Sequence, residues 1–427
     1  MKKLHVKPSQ MGQEIKIPPS KSQTHRAILL AALAKGKSKI FNPLKSSDTL
    51  AMIQACRHFG AEIHIHPEHL EIQGVGGKIA YSEDVIQAHN SGIVLRFITA
   101  LAALCQRPVV ITGDYSIRHL RPMQILMDAL TQLGVKAEST RGDGYAPLIV
   151  RGPLRPGSCY IEDGSDSQNV SALLLAAIFM EGTLELYVSQ PGEKPWVEMT
   201  LDWLKKLNVP YQHHNYEKYQ VHGIQEYEGF EYTVPGDWSS AAFPLAAALI
   251  TQSEVVLRNL DPHDIQGDKK ILEILRAMGA EIKTTDQSVH VLKGVRLKGR
   301  KIDVNDCIDA VPILATLACF AQGETQLLNA AVARQKECDR LACTALELKK
   351  MGGHIVEIDE GLIIHGAPLQ GASVFSHGDH RLAMALVVAG LAAQDETYVE
   401  DISCIEKTYP SFCEDFKRMG AQLEEIS

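Results

Sequence analysis

The chain reads as an α/β protein made of six copies of one unit, arranged as two domains of three. Three observations predict this. An Ala- and Leu-rich helix, apolar nearly all round, recurs six times. An amphipathic segment ending at glycine or asparagine recurs six times between those helices. Both series keep nearly the same period, which is too long for a solenoid repeat of ~20–50 residues.

The first buried helix lies in PPSKSQTHRAILLAALA, Pro18 to Ala34. Ser20 or Ser22 can cap it, because a side-chain oxygen there accepts from a free N–H of the first turn. A helix without a polar face belongs in a core. Its first turn carries Lys21, Ser22, His25 and Arg26. A helix N-terminus already attracts anions, and formal positive charge strengthens it, so the simplest reading is a phosphate or carboxylate site.

Five relatives of this stretch follow. Asn90-Ser91-Gly92 precedes IVLRFITALAAL, and DGSDSQN from Asp163 precedes VSALLLAAIFM. Pro235-Gly236-Asp237-Trp238-Ser239-Ser240 precedes AAFPLAAALI. DVNDCID, ending at Asp309, precedes AVPILATLACFA, and His377-Gly378-Asp379-His380-Arg381 precedes LAMALVVAGLAA. With Ser22, Ser91, Ser167, Ser239, Asp309 and His380 as markers, the spacings are 69, 76, 72, 70 and 71. The amphipathic series runs TLAMIQACRHFG, QILMDALTQLG, MTLDWLKKLN, KKILEILRAMG, ACTALELKKMG and SFCEDFKRMG. Its terminators, Gly60, Gly134, Asn208, Gly279, Gly352 and Gly420, are 74, 74, 71, 73 and 68 apart and are types suited to a left-handed C-cap.

Each unit then holds one buried helix, one outer helix and about four short strands, such as TLELYV at 183–188 and TQLLNA at 325–330. Pro235-Gly236 falls between the third and fourth units. The expected domains are 20–234 and 1–19 with 235–427, joined by hinges near 18–20 and 234–236. If the buried helices of each domain run the same way, their N-termini converge on a cleft between the domains.

Bulk composition narrows the function. A 45% hydrophobic, 22% charged chain of 427 residues is that of an ordinary globular protein. A formal charge of −8 argues against a general nucleic-acid binder, so any anion site is a local gathering of cations. No run is long and apolar enough to span a bilayer, and MKKLHVKPSQMG has no apolar segment behind it to act as a secretion signal. Nine cysteines without a CxxC pair read as reduced thiols of a cytoplasmic protein.

The candidate cations are Lys21, Arg26, Arg96, Arg121, Lys336, Arg340, Arg381 and Lys407, all at or near helix starts and turns. Arginine suits the task because its planar fork matches carboxylate and phosphate oxygens. Asp309 and Glu337 are carboxylates in the same places, readable as salt-bridge partners or as acid–base groups. His64-Ile65-His66 and His66-Pro67-Glu68-His69 hint at metal, but strand alternation explains them and no third ligand is evident. Neither GxxxxGK[ST] nor GxGxxG occurs, so a nucleotide cofactor lacks support.

Seven stretches together carry a resemblance. PSKSQTHRA at 19–27, NSG followed by Arg96, RPM at 121–123, PGDWSSAAF at 235–243, KECDR at 336–340, GDHRLAMA at 378–385 and EKTYPSF at 406–412 resemble the EPSP synthases (3-phosphoshikimate 1-carboxyvinyltransferases). The matches run in order from residue 19 to 412. The resemblance implies a two-domain inside-out α/β barrel, each domain three βαβαββ-type units, that closes on substrate. It implies transfer of the enolpyruvyl group of phosphoenolpyruvate to the 5-hydroxyl of shikimate 3-phosphate, in the shikimate pathway, by a monomer without cofactor or metal. Lys21, Ser22, Arg26, Ser167, Gln168, Asp309 and Lys336 would hold shikimate 3-phosphate. Lys21, Gly92, Arg121, Gln168, Arg340, Arg381 and Lys407 would hold phosphoenolpyruvate. Asp309 would take the hydroxyl proton, Glu337 would act at the methylene carbon, and Lys21 would assist.

Six positions depart from the family pattern, among them Asn169, where an aromatic usually follows the third-repeat glutamine. Ile93 stands where threonine is usual, Asp166 where the third repeat has a second serine, Glu193 where serine is common, Trp196 for tyrosine and Val332 for asparagine. Two rival readings remain. The sister enolpyruvyl transferase acting on UDP-N-acetylglucosamine usually has a cysteine in the loop that here reads GDYSIRHLRP, Gly113 to Pro122, and opens with a KN pair. A non-catalytic anion-binding paralogue would accommodate Asp166 and Val332.

Overall fold

The computed structural model describes residues 2–80, 83–294 and 296–426. The chain divides into two units, one comprising the segment up to Ser20 with everything from Pro235, the other Lys21–Val234. Among the described residues there are six four-stranded sheets, three in each unit, and all share one strand order. In the first, Glu231–Thr233 runs parallel to Lys35–Phe41, which pairs antiparallel with His69–Val75, which pairs antiparallel with Glu62–Ile65. A parallel pair needs a crossover. In four of the sheets the inner helix supplies it, as Ser167–Ala177 does between Gly157–Ile161 and Thr183–Val188, whereas Glu231–Thr233 and Glu14–Lys16 join their parallel partners from far along the chain.

The inner helices are Lys21–Leu33, Gly92–Ala102, Ser167–Ala177, Trp238–Ile250, Val311–Phe320 and His380–Leu391. Their lack of a polar face has the expected consequence. In the first, every residue from Gln23 to Leu33 is buried, and in the last every residue from His380 to Leu391 is. In the unit beginning at Pro235, the three inner helices pack against one another in pairs. In the other unit, the Gly92 and Ser167 helices pack directly, and Lys21–Leu33 lies against the outer helices Ser47–His58 and Lys194–Lys206. Trp203 of that last helix is buried and donates from Nε1 to Gln23 Oε1 at 2.9 Å.

The outer helices end as their sequences require. Gly60, Gly134, Asn208, Gly279, Gly352 and Gly420 have φ of 98°, 84°, 56°, 106°, 83° and 105°, the left-handed region that turns the chain back into a strand. The segments at 183–188 and 325–330 form the strands Thr183–Val188 and Glu324–Leu328. The opening segment belongs to the Pro235 unit: Lys3–Lys7 lies between Thr397–Glu400 and Gln422–Ile426, and Glu14–Lys16 runs parallel to Val255–Arg258.

Two chain passages lie side by side at the boundary of the unit that begins at Pro235. Ser20 N donates to Pro235 O and Asp237 N to Pro18 O, each at 2.8 Å, with Pro19 and Gly236 bridged between them. Gly236 is required by close approach, since a Cβ there would sit 1.8 Å from the Asn259 carbonyl oxygen. Asn259 is itself tied by Nδ2 to Ile17 O at 2.9 Å. Gly236→Ala is therefore expected to destabilise the protein by about 1–3 kcal/mol, the usual scale of overpacking, read as a lower urea midpoint. An unchanged midpoint would show that this crossing yields freely.

Candidate active site

Within each unit, charged side chains gather at the N-terminal ends of the inner helices. Local sequence explains the placement. Ser91, Asp166, Asp237 and Asp379 are N-caps whose side chains accept from first-turn N–H groups. The first helix begins at Lys21, so Ser20 precedes it and Ser22 lies in its first turn. Asp309 sits in a 3-10 turn, Asn305–Ala310, that leads into Val311–Phe320, a helix without a side-chain cap.

In the Lys21–Val234 unit, Asp48 links two of these ends. Its Oδ2 lies 3.6 Å from Lys21 Nζ and accepts from Ser91 Oγ at 3.2 Å. Arg96, buried, pairs with Asp166 Oδ2 at 2.8 Å. Burial pulls its pKa below the usual arginine value, against the opposing pull of Asp166. Its Nε and Nη1 atoms are buried and without hydrogen-bond partners among the described residues. Leaving a buried donor unsatisfied costs about 1–3 kcal/mol, more for a charged group, so this guanidinium is poised for an acceptor. Gly92 lies at the same place: a Cβ there would meet Arg96 Nη1 at 3.3 Å, Gln168 Oε1 at 3.5 Å and Arg121 Cζ at 3.6 Å.

Arg26 and Ser167 are engaged with the protein itself. Arg26 is buried and donates to Thr200 Oγ1 at 3.0 Å, Trp196 O at 2.9 Å and Ser22 O at 3.2 Å, with its guanidinium 5.3 Å from the Phe97 ring centre. Burial pushes its pKa down to about 9, so it stays charged at neutral pH. Three of its five N–H groups are thus spent in fixing Ser22 and the Trp196 segment. Ser167 donates from N and Oγ to Glu193 Oε2 at 3.1 and 2.8 Å. Glu193 is buried with a left-handed φ of 45°. The two carboxylates that set this chain apart are therefore built into the N-terminus of the Ser167 helix, Asp166 as its cap and Glu193 as its acceptor. Ile93, beside Gly92, packs on the edge of the hydrophobic core.

In the unit beginning at Pro235, Arg340 organises the cluster. It is 1% exposed and donates to three carboxylates: Asp309 at 2.6 Å, Glu337 at 2.8 Å and Asp379 at 2.7 Å. Burial alone would lower its pKa, but Asp379, Glu337 and Asp309 outweigh that and raise it well above the usual value. Lys407 Nζ holds the other oxygen of Glu337 at 2.8 Å. Arg381 reaches Asp309 Oδ2 at 2.8 Å and Ser239 Oγ at 3.0 Å, while its Nε and Nη1 are buried and unpartnered among the described residues. Lys336 is buried next to Glu337 in sequence.

Two cations with spare buried donors and a carboxylate pair held in hydrogen-bonded networks can bind oxyanions and move protons. The unit beginning at Pro235 thus brings together Asp309, Glu337, Arg340, Arg381 and Lys407. The other brings Gly92, Arg96, Arg121 and Gln168 together, with Lys21 tied to them through Asp48 and Ser91.

The model of the EPSP synthase (3-phosphoshikimate 1-carboxyvinyltransferase) family matches residues 6–416. The chain belongs to the EPSP synthase family. A 3-phosphoshikimate 1-carboxyvinyltransferase of Acetivibrio thermocellus is 42% identical over 420 residues, 98% of this chain and 99% of that one. One from Methanocella arvoryzae is 44% identical over 421 residues, again 98% and 99%. Among solved structures, an EPSP synthase from Acinetobacter baumannii matches over 100% of both chains, with a TM-score of 0.84 at 27% identity.

In this EPSP synthase family member, sequence reasoning missed several residues of the clusters. Asp379 and Asp237 were legible in principle, because Gly-Asp recurs immediately before two inner helices. Asp48 also had a signal, as an acidic residue in a helical first turn. Asp268 had none. It is buried, and burial first, then the neighbouring Asp309, raises its pKa well above the carboxylate range, with Arg381 opposing. A buried carboxyl near Asp309 follows only from the packing of the 3-10 turn Gly267–Lys270 that carries it.

Removing the Arg340 side chain leaves three carboxylates without their shared cation. Arg340→Ala is expected to destabilise the protein by about 3–5 kcal/mol, the scale for breaking a buried ion pair. The check is equilibrium unfolding beside an activity assay. A variant that lost activity with unaltered stability would show that the arginine serves the ligand alone.

Proposed function

We propose that this chain is a 3-phosphoshikimate 1-carboxyvinyltransferase, which joins C2 of phosphoenolpyruvate to the 5-oxygen of shikimate 3-phosphate and releases phosphate. The observation that carries the reading is the network of Asp309, Glu337, Arg340, Arg381 and Lys407, found in a member of the EPSP synthase family. The reaction asks for two anions held together, a base for a hydroxyl proton and an acid for a methylene carbon. Holding two like-charged reactants in one geometry can contribute several kcal/mol.

In this reading Asp309 accepts the 5-hydroxyl proton as the new C–O bond forms. Glu337 gives a proton to the methylene carbon and takes one back as the C–O bond to phosphate breaks. Lys407, bonded to Glu337, supports both states and assists at the phosphoenolpyruvate end with Arg340, Arg381, Arg121, Gly92 and Gln168. The spare N–H groups of Arg381 favour this role. Lys21, Ser22, Arg26, Ser167, Gln168, Asp309 and Lys336 serve shikimate 3-phosphate, Arg26 chiefly by fixing Ser22 and the Trp196 carbonyl. Lys21 also serves phosphoenolpyruvate and assists proton removal. Fixed cations of this kind stabilise developing charge without reorganising during the step.

Among the described residues no helix is long and apolar enough to cross a membrane. The proposed setting is a cytoplasmic monomer of the shikimate pathway, serving chorismate and aromatic amino acid synthesis.

Phosphate release from shikimate 3-phosphate plus phosphoenolpyruvate tests the reading. Asp309→Ala and Glu337→Ala should each lower kcat by about 10²–10⁴-fold, the range for general acid–base groups. Binding of both substrates without turnover by the unaltered chain would instead mark a binding paralogue, and turnover of a UDP-sugar would mark the sister activity. Gly92→Ala should raise KM for phosphoenolpyruvate and leave that for shikimate 3-phosphate nearly unchanged, because the added methyl meets Arg96, Gln168 and Arg121. Equal changes in both KM values would count against the assignment of Gly92.

A further inference from the structure

The hairpin of strands Glu62–Ile65 and His69–Val75 carries a donor set that the enolpyruvyl reaction does not use. His64 and Glu71 are cross-strand partners, and His66 N donates to His69 O at 2.9 Å across the turn. With the two-residue period of a strand, His64, His66, His69 and Glu71 all fall on one face. The ligand atoms of His66, His69 and Glu71 lie within 4.8 Å of one another. The two imidazole rings stack with centroids 4.5 Å apart and planes 15° apart. Neither ring nitrogen pair makes a hydrogen bond among the described residues.

The turn itself is held in place. Pro67 fixes its own φ, and Lys45 Nζ donates to the carbonyls of His66 and Pro67. The Phe41 ring lies against His69, with centroids 5.8 Å apart. Glu71 has one competing partner in contact, Lys37 Nζ at 3.2 Å, and that lysine is 70% exposed. An exposed ion pair of this kind contributes little and yields readily to a divalent cation.

We propose that His66, His69 and Glu71 form a surface binding site for one late first-row divalent cation of the Zn(II), Ni(II) or Cu(II) type. Two imidazoles and one carboxylate are the donors that such ions prefer, whereas Mg(II) and Ca(II) take oxygen ligands. Solvent or His64 completes the coordination. The other gathering of His, Asp and Glu, at Glu337, Asp379 and His380, has its carboxylates committed to Arg340 and Lys407, which disfavours an ion there.

The test is calorimetric titration of the untagged full-length chain, stripped with chelator, with Ni(II) and then Zn(II). One equivalent should bind, and His66→Ala and His69→Ala should each weaken binding at least tenfold, with Glu71→Gln weakening it in the same direction. His213→Ala, on an exposed strand of another sheet, should leave it unchanged. These are surface positions, and a thermal melt of each variant confirms that the fold is retained. Absence of saturable binding, or a stoichiometric site that survives the His66→Ala/His69→Ala double variant, would overturn the proposal.

Discussion

Arg340 and its three carboxylates are the constraint on which the unit beginning at Pro235 depends. A buried guanidinium is tolerable only when its N–H groups meet acceptors and its charge is offset. Asp309, Glu337 and Asp379 come from three separate stretches, so satisfying one arginine fixes three pieces of chain against one another. Asp379 is also the N-cap of an inner helix, which couples the network to the core beneath it. Asp309 and Glu337, the carboxylates proposed to move protons, are held by side chains that are themselves immobilised, the condition for acting without reorganisation.

The same logic operates in the Lys21–Val234 unit, with a different balance. Arg96 is held by one carboxylate, Asp166, and retains buried N–H groups. Arg26 has turned inward and braces the Trp196 segment. Here the charge near each helix start is offset by Asp48, Asp166 and Glu193, so the region is more evenly neutralised than its cations alone suggest. The Ser167 hydroxyl bonded to Glu193 must exchange that acceptor before it can serve a phosphate.

Much of this was legible in the chain itself, and the particular residues show why. The left-handed terminators Gly60, Gly134, Asn208, Gly279, Gly352 and Gly420 encode a backbone requirement, and backbone requirements are local. The inner helices declared their burial through composition, since no polar stripe was available to face water. The cations of the site were visible because they recur at repeat boundaries. Asp268 was not, because one buried carboxyl in a four-residue 3-10 turn leaves no periodic trace. Glu71 was equally hidden: its meeting with His66 and His69 depends on the register of a hairpin.

The sequence by itself determined the six-unit repeat, the class of fold and the buried helices, and it named the candidate site residues, because each of these rests on local periodicity, composition or motif. Tertiary structure alone decided how those side chains are used. It turned Arg26 toward protein carbonyls, gave Arg340 two partners from distant segments, Asp309 and Asp379, and set Asp268 beside Asp309. Such pairings depend on distances between residues far apart in the chain, and packing is the only thing that fixes those distances.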